Sequence, residues 1–305
     1  MAEDFKLVAG ATGYIGRLLA KELAATGSNV RALARDPSKA RDLEAAGCEV
    51  VKGDVLEPDT LAPALEGVDV AYYLIHSMGR GASDNDFAER DKRAARNFGE
   101  AAKQAGVGLI IYLGGLSEGG SKHLTSRHDT AEVLKEAGVP VTYFRAAAVI
   151  GSGSESFLLA MYLVRRLPLM VTPKWTQTKT QPIAIADVLR YLMQAPDVPE
   201  AHGREIEIGG PDVTTYAGMM DACAKALGIG ARPRVPVPVL TPWLSSLWVG
   251  LVTPVDVGVA RPLIEGAESE TIVRHPEGMN LFQTSPVTLA EAMSAAVLEA
   301  EADGR

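Results

Sequence analysis

Cysteine is scarce. Only Cys48 and Cys223 occur in 305 residues, with no C-x-x-C pair and no Cys/His cluster, so neither a disulfide scaffold nor a metal site is indicated and a reducing compartment fits. Runs of Lys and Arg are missing too. With a formal net charge of −8 and a pI near 5.3, the chain lacks the clustered cations that a nucleic-acid backbone requires, which leaves small molecules as the expected partners. The first residues hold no basic segment leading into an apolar one, so no secretory signal is visible and the cytoplasm is the expected location. Internal repeats and low-complexity tracts are absent.

What is present is apolar. The chain is 47% hydrophobic and 22% charged, as expected of a globular protein with a large core. Its most apolar stretch, residues 235–264, is interrupted by Pro236, Pro238, Pro242, Pro254 and Pro262 and carries Asp256 and Arg261. A spanning helix tolerates this poorly, so the stretch reads as a buried segment, with peripheral membrane contact through Trp243 and Trp248 as the alternative.

The most informative segment is Lys6-Leu-Val-Ala-Gly10-Ala-Thr12-Gly13-Tyr14-Ile15-Gly16, a short apolar strand running through three glycines into a helix with Leu18, Leu19 and Leu23 on one face. Such a turn binds dinucleotides. Gly10 permits the sharp bend, Gly13 lets the backbone approach a pyrophosphate, and Gly16 lets helix and strand close up, with the phosphates on the helix N-terminus. The spacing is G-x-x-G-x-x-G, with Thr12, Tyr14 and Ile15 as further expected contacts.

Apolar runs then alternate with helical patterns. Expected strands are 5–9, 30–34, 49–52, 68–74, 108–113 and 141–144, with helices near 16–25, 38–46, 58–65, 85–105 and 126–137. The order predicts an α/β fold, a Rossmann-type doubly wound parallel sheet over residues 1–150. Beyond Ile150 the pattern loosens into a smaller, mainly helical substrate-binding subdomain, 151–305. The chain is expected to return to the sheet at about 181–200 and to leave it through Arg204-Glu-Ile-Glu-Ile208. The last helix, from Glu291, is expected to fray at Asp303.

Together the glycine turn, Gly53-Asp54-Val55, Gly67-Val-Asp-Val-Ala-Tyr-Tyr-Leu74, the return at 183–187 and Ile208-Gly-Gly-Pro211 resemble the extended and atypical short-chain dehydrogenase/reductase superfamily. Within it, the chain looks most like atypical members: NmrA-type redox-sensing proteins, the NADPH-binding accessory subunit of respiratory complex I, and bacterial NAD(P)H-binding proteins with a Tyr-Tyr-Leu-Ile/Val-His-Ser-Met segment, here Tyr72–Met78. The resemblance implies an adenine contact at Asp54 and Val55, and cofactor contacts from Leu74, Ile75 and His76 after the fourth strand. NAD-selective members place an acid at the end of the second strand. Here that place holds Ala34 followed by Arg35, which could pair with a 2′-phosphate, assisted by Lys39. NADP(H) is therefore favoured over NAD(H), unless Asp36 neutralises Arg35.

The family's usual catalytic Ser, Tyr and Lys are not found. Gly114 and Gly115 stand where serines are usual, Leu124 falls at the Tyr position and His128 at the Lys position. His128 could take over the lysine's place as a ribose contact or proton donor; Ser126 and Asp129 beside it could equally be helix caps. His76, at the sheet edge where ligands bind, and Ser117 are the other catalytic candidates, while Tyr72 and Tyr73 belong to a buried strand. Arg145 either holds the strand end or lines the pocket. Phe157, Met161, Met170, Trp175, Trp243 and Trp248 either line an apolar substrate site or form a core.

The resemblance implies an NADPH-dependent oxidoreductase that reduces a carbonyl or similarly activated hydrophobic molecule. The alternatives are a non-catalytic NADP(H)-binding sensor or accessory protein and, after it, a nucleotide-sugar epimerase or dehydratase. Helix 85–105 could form a homodimer interface, or its charge pattern Glu89-Arg-Asp-Lys-Arg93 could be the solvated face of a monomer.

Overall fold

Side chains that alternate across the strands organise the molecule. The computed structural model describes residues 5–76, 84–116, 122–230, 232–237, 249–250, 252–255 and 257–305. Its first strands are β1 (Phe5–Ala9), β2 (Asn29–Ala34), β3 (Glu49–Lys52), β4 (Val70–Tyr73), β5 (Leu109–Gly115) and β6 (Val141–Ala146). Short strands follow: β7 (Val149–Ile150), β8 (Met170–Thr172), β9 (Lys179–Thr180), β10 (Ile183–Ala184), β11 (Glu205–Ile208), β12 (Thr214–Thr215) and β13 (Arg234–Pro236). The helices are α1 (Tyr14–Ala25), α2 (Arg41–Ala45), α3 (Leu61–Leu65), α4 (Asp84–Ala105), α5 (Lys122–Glu136), α6 (Glu155–Arg166), α7 (Ile185–Gln194), α8 (Tyr216–Ala226), α9 (Val257–Gly266) and α10 (Leu289–Ala302). Every strand expected in the first 150 residues is present, its ends within two residues of the expectation.

The main sheet is parallel throughout, in the order β11-β6-β5-β4-β1-β2-β3. Both faces are covered, as a parallel sheet requires. Val8, Tyr72 and Ile111 point to one face, where they pack with Leu19 and Leu23 of α1 and Leu192 of α7. Leu7, Tyr73 and Ile110 point to the other, against Phe98 of α4 and Leu134 of α5. The chain runs outward from β1 to β3 and then crosses to β4 on the far side of β1, so the strand order reverses between β1 and β4. A ligand crevice opens at such a reversal, beyond the carboxyl ends of the strands.

Several expectations need correction. Residues 205–208 do not lead away from the sheet; they add its seventh strand along the β6 edge. Buried Glu207 fixes that edge by accepting N–H bonds from Arg274 (2.6 Å) and His275 (2.9 Å). The return at Ile183 pairs with Val149 in a separate two-stranded ladder, while α7 after it packs on the main sheet through Leu192. Helix α5 begins at Lys122, four residues before the expected start, so neither Ser126 nor Asp129 is a cap. Ser126 is buried within the helix, and Asp129 pairs with Lys92 of α4 at 3.0 Å. The charge run of α4 is not one solvated face either, because Asp91 is buried. The carboxyl end does not fray: Arg305 donates to the Ser152 carbonyl at 2.8 Å, and its own carbonyl accepts from Arg165 at 2.6 Å.

Helices α6, α8, α9 and α10 bury Leu163, Ala224, Ala260, Phe157 and Met293 among themselves. α10 starts with a reciprocal capping box between Thr288 and Glu291. Among the described residues no helix is long and apolar enough to cross a membrane. Trp243 and Trp248 lie outside the described residues.

Asp187 ties the return segment to the last helix. Its carboxylate is fully buried, bonded to Arg190 at 2.5 Å and to the Val287 N–H at 2.9 Å. Asp187→Ala is expected to lower stability by about 2–3 kcal/mol, since it strands a buried N–H, while Asp187→Asn loses less. Urea unfolding of the three proteins checks this; equal midpoints would remove Asp187 from the framework.

Candidate functional site

The glycine turn is closed to within atomic contact. Gly10, at φ +89°, lies against the end of β4, where a Cβ would stand 2.7 Å from the Leu74 carbonyl oxygen. Leu74 in turn donates its N–H to Ala9 at 2.9 Å, which locks the extension of β4 to β1. A Cβ on Gly16 would stand 2.3 Å from the Gly10 oxygen, a backbone atom that cannot yield. Gly13 is the N-cap of α1 and uses no side chain to satisfy the first turn, which also carries no acidic residue. The free N–H groups and the positive end of the helix dipole therefore face outward, as an anion site requires.

From this turn a cleft of about 780 Å³ runs along the carboxyl edge of the sheet. Gly10, Thr12, Gly13, Tyr14, Ile15 and Gly16 line its middle, and Arg35, Asp54 and Val55 its β2–β3 side. Arg35 follows the last residue of β2, is exposed, and pairs with no carboxylate among the described residues. Asp36 does not neutralise it, because that carboxylate caps its own turn, accepting from Ser38 N (3.1 Å) and Ser38 Oγ (2.7 Å). These bonds also hold its pKa below the usual carboxylate range. Lys39 is not brought to the cleft: the turn at Pro37 carries it away, exposed, with its carbonyl accepting from Arg17 at 2.8 Å. Asp54 keeps its loop closed by accepting the Leu56 N–H at 3.0 Å.

On the other side of β1 the wall is formed by Leu74, Ile75 and His76 beyond β4, Gly114 and Gly115 at the end of β5, and Leu124 and Arg127 of α5. His128 is not on this wall. One residue further around the helix from Arg127, it is exposed and lies against Tyr143, ring centroids 6.5 Å apart. Arg127, which no local sequence signal singles out, faces the cleft with its Nε buried and unpartnered. Leu124 fills the space that a side chain at 115 would need, since a Cβ on Gly115 would stand 2.5 Å from it. Gly114 is equally constrained, by Tyr143 at 2.7 Å. Arg145 is absent from the wall; it bonds Glu205 at 2.7 Å and the Gly115 carbonyl at 3.4 Å, and so holds the end of β5. Ser117 lies outside the described residues, as do Ser77 and Met78.

The cleft continues into an apolar arm lined by Leu159, Trp175, Tyr216, Met219, Met220 and Leu263. Of the six expected lining residues only Trp175 is found there among those described; Phe157, Met161 and Met170 are core. Burial pushes Tyr143 up to about 12 and raises Tyr112 and Tyr216 as well, so these phenols stay protonated near neutral pH. Cys48 and Cys223 are unpaired and buried, and the described residues hold no cluster that could bind a metal. The residues present fit a dinucleotide: a cradle that only glycine permits, a helix N-terminus, and an arginine without an acid at the end of β2.

Comparison with known proteins agrees. Residues 10–150 match the model of a family described as NAD(P)H-binding. The chain is 28% identical over 238 residues to the photosystem II assembly factor Ycf39 of Cyanophora paradoxa, covering 76% of this chain and 71% of that one. It is 29% identical over 236 residues to a ceramide reductase of Caulobacter vibrioides, covering 75% and 71%. The fold matches that of Citrobacter sp. triphenylmethane reductase complexed with NADP(H) at a TM-score of 0.73, 18% identity and 96% and 99% coverage.

Gly16→Ala is expected to weaken nucleotide binding by about tenfold or more, because the displaced turn loses several N–H contacts of about 1 kcal/mol each. Gly230→Ala, where an added Cβ meets nothing within 4 Å, is the control. Calorimetric titration with NADPH compares them; unchanged binding by the Gly16 variant would separate the turn from the nucleotide.

Proposed function

With residues 10–150 matching the model of a family described as NAD(P)H-binding, we propose that this chain is an NADPH-dependent reductase of a hydrophobic carbonyl compound or a similarly activated small molecule. The observation that carries this reading is the continuity of the cleft, from a dinucleotide turn to an arm walled by Trp175, Met219, Met220 and Leu263. The arm suits a molecule with little charge, since burying charge against such a wall without partners is costly. The 2′-phosphate is assigned to Arg35, which is accessible and not paired with an acid.

Bound cofactor would supply a hydride to the activated carbon, and the substrate oxygen would gain a proton. This chain's contribution is mainly to orient the two molecules and exclude water. Leu124 and Gly115 stand where a tyrosine and a serine would otherwise act, so the proton is assigned to His76, the histidine on the described cleft wall, or to water. The same Leu124–Gly115 packing favours a second reading, a non-catalytic NADP(H)-binding accessory protein, in keeping with the name assembly factor borne by the Ycf39 relative. The apolar arm speaks against a nucleotide-sugar substrate, whose diphosphate would need cations there.

Titration of the cofactor-stripped protein with NADPH and NADH tests the nucleotide assignment. NADPH is expected to bind more tightly, and Arg35→Ala to weaken NADPH about tenfold with little effect on NADH. Tighter NADH binding, or no binding of either, would overturn it. Loss of reduced-nicotinamide absorbance across a panel of long-chain aldehydes, aryl ketones and quinones separates the reductase from the accessory reading.

A further inference from the structure

Among the described residues three arginines line the cleft, Arg35, Arg90 of α4 and Arg127, and Arg35 and Arg127 stand at strand ends on opposite sides of the reversal point. Arg35 follows β2; Arg127 reaches over the end of β5, where its guanidinium would lie 3.8 Å from a Cβ on Gly115. β2 and β5 are separated by β1 and β4, so three strand spacings, about 14 Å, lie between them. A dinucleotide seated on the glycine turn crosses this gap, and its adenosine half is committed to the β2 side. Its other half must then lie toward β5.

Arg127 is built to receive something there. Its helix is pinned by the Tyr112 hydroxyl, which donates to the Arg127 carbonyl at 3.2 Å. The guanidinium stands over the end of β5, and its charge lowers the pKa of the Tyr112 and Tyr143 hydroxyls against the larger effect of their burial. Yet the described residues offer no carboxylate partner, and Nε is buried with nothing to donate to. A buried donor on a cation is costly unless an acceptor arrives. The immediate neighbours Leu124, Gly114 and Gly115 supply no side-chain acceptor, and buried Asp91, which lines the same cleft, forms no ion pair with Arg127.

We propose that Arg127 is the anchor for the nicotinamide half of the cofactor, donating to the hydroxyls of its ribose or to the carboxamide oxygen. This rests on the NADP(H) reading above and deepens it: Arg35 and Arg127 hold opposite ends of one molecule, and the fork of five donors at 127 does what His128, turned outward, cannot.

The test is calorimetric titration of wild type, Arg127→Met and Arg127→Lys with three probes: NADPH, 2′,5′-ADP, which lacks the nicotinamide half, and reduced nicotinamide mononucleotide, which lacks the adenosine half. Arg127→Met is expected to weaken NADPH about tenfold or more and to weaken the mononucleotide in the same direction. Affinity for 2′,5′-ADP stays within about twofold of wild type, which also reports that the variant is folded. Arg127→Lys, with charge but no fork, falls between. Unchanged NADPH affinity in Arg127→Met, or equal weakening of NADPH and 2′,5′-ADP in a protein with a native melting transition, would overturn the proposal. A wild-type protein that binds 2′,5′-ADP but gains nothing from the nicotinamide half would overturn it while leaving the nucleotide site standing. One that binds no probe removes the underlying reading as well.

Discussion

The rest of the structure depends on how closely the backbone of β1 can approach its neighbours as it turns into α1. Gly10 sits against the Leu74 carbonyl and Gly16 against the Gly10 oxygen, both at distances that leave no room for a methyl group. These two contacts fix α1 to the sheet at the point where the strand order reverses. Once they are set, the N-terminus of α1 and the ends of β2, β4 and β5 all open on the same crevice. The conformational cost of glycine in the unfolded chain is offset by the geometry that only glycine allows.

A second contact carries that geometry across to the later part of the chain. Tyr14, the residue between the second glycine and Ile15 of the fingerprint, lies on Gly151 and Gly153: a Cβ would stand 2.3 Å from its hydroxyl at 151 and 2.5 Å from its ring at 153. The loop it packs against leads into α6, whose Ser154 cap bonds the Val149 carbonyl and the Phe157 N–H. The same loop is held from the other side by Arg305 on Ser152. The dinucleotide turn and the start of α6 thus meet at a single aromatic side chain. A shift in one is felt by the other, because close-packed contacts transmit displacement.

How much of this can be read from sequence follows from the range of the interactions. The turn, the strands and Arg35 are local: glycine spacing, apolar runs and a residue at a strand end declare themselves within a few positions. β11 does not, because Glu205-Ile-Glu-Ile alternates charge with apolar residues and becomes a strand only where Arg145, Arg274 and His275 receive its carboxylates. The phase of α5 is another non-local quantity. Counting along a motif leads to His128, but successive residues on a helix are about 100° apart, so a neighbouring position faces elsewhere and Arg127 takes the wall. The apolar arm is drawn from α6, α8 and α9, and in those segments composition alone does not separate Leu159 or Met220, which line it, from Phe157 or Met161, which are core. Hydrophobicity declares burial; only packing declares against what.

The residues at 115, 124 and 266 behave as one unit. Leu124 fits because Gly115 has no side chain, and it also comes within 3.5 Å of where a Cβ on Gly266 would be, on α9 beside the apolar arm. A serine at 115 would collide with Leu124, and a phenol at 124 would have to find room between β5 and α9. A hydroxyl at either position would therefore require a change at the other, and the surface that the two residues make is apolar. The site there sets an apolar wall next to a cation at 127. If hydride transfer is what it supports, most of its effect must come from alignment and from charges fixed at low dielectric. Polar relay through the protein would be minor. That requirement favours substrates whose reaction is driven by the electrophilicity of the carbon that receives hydride, over those that need strong protonation of a leaving oxygen.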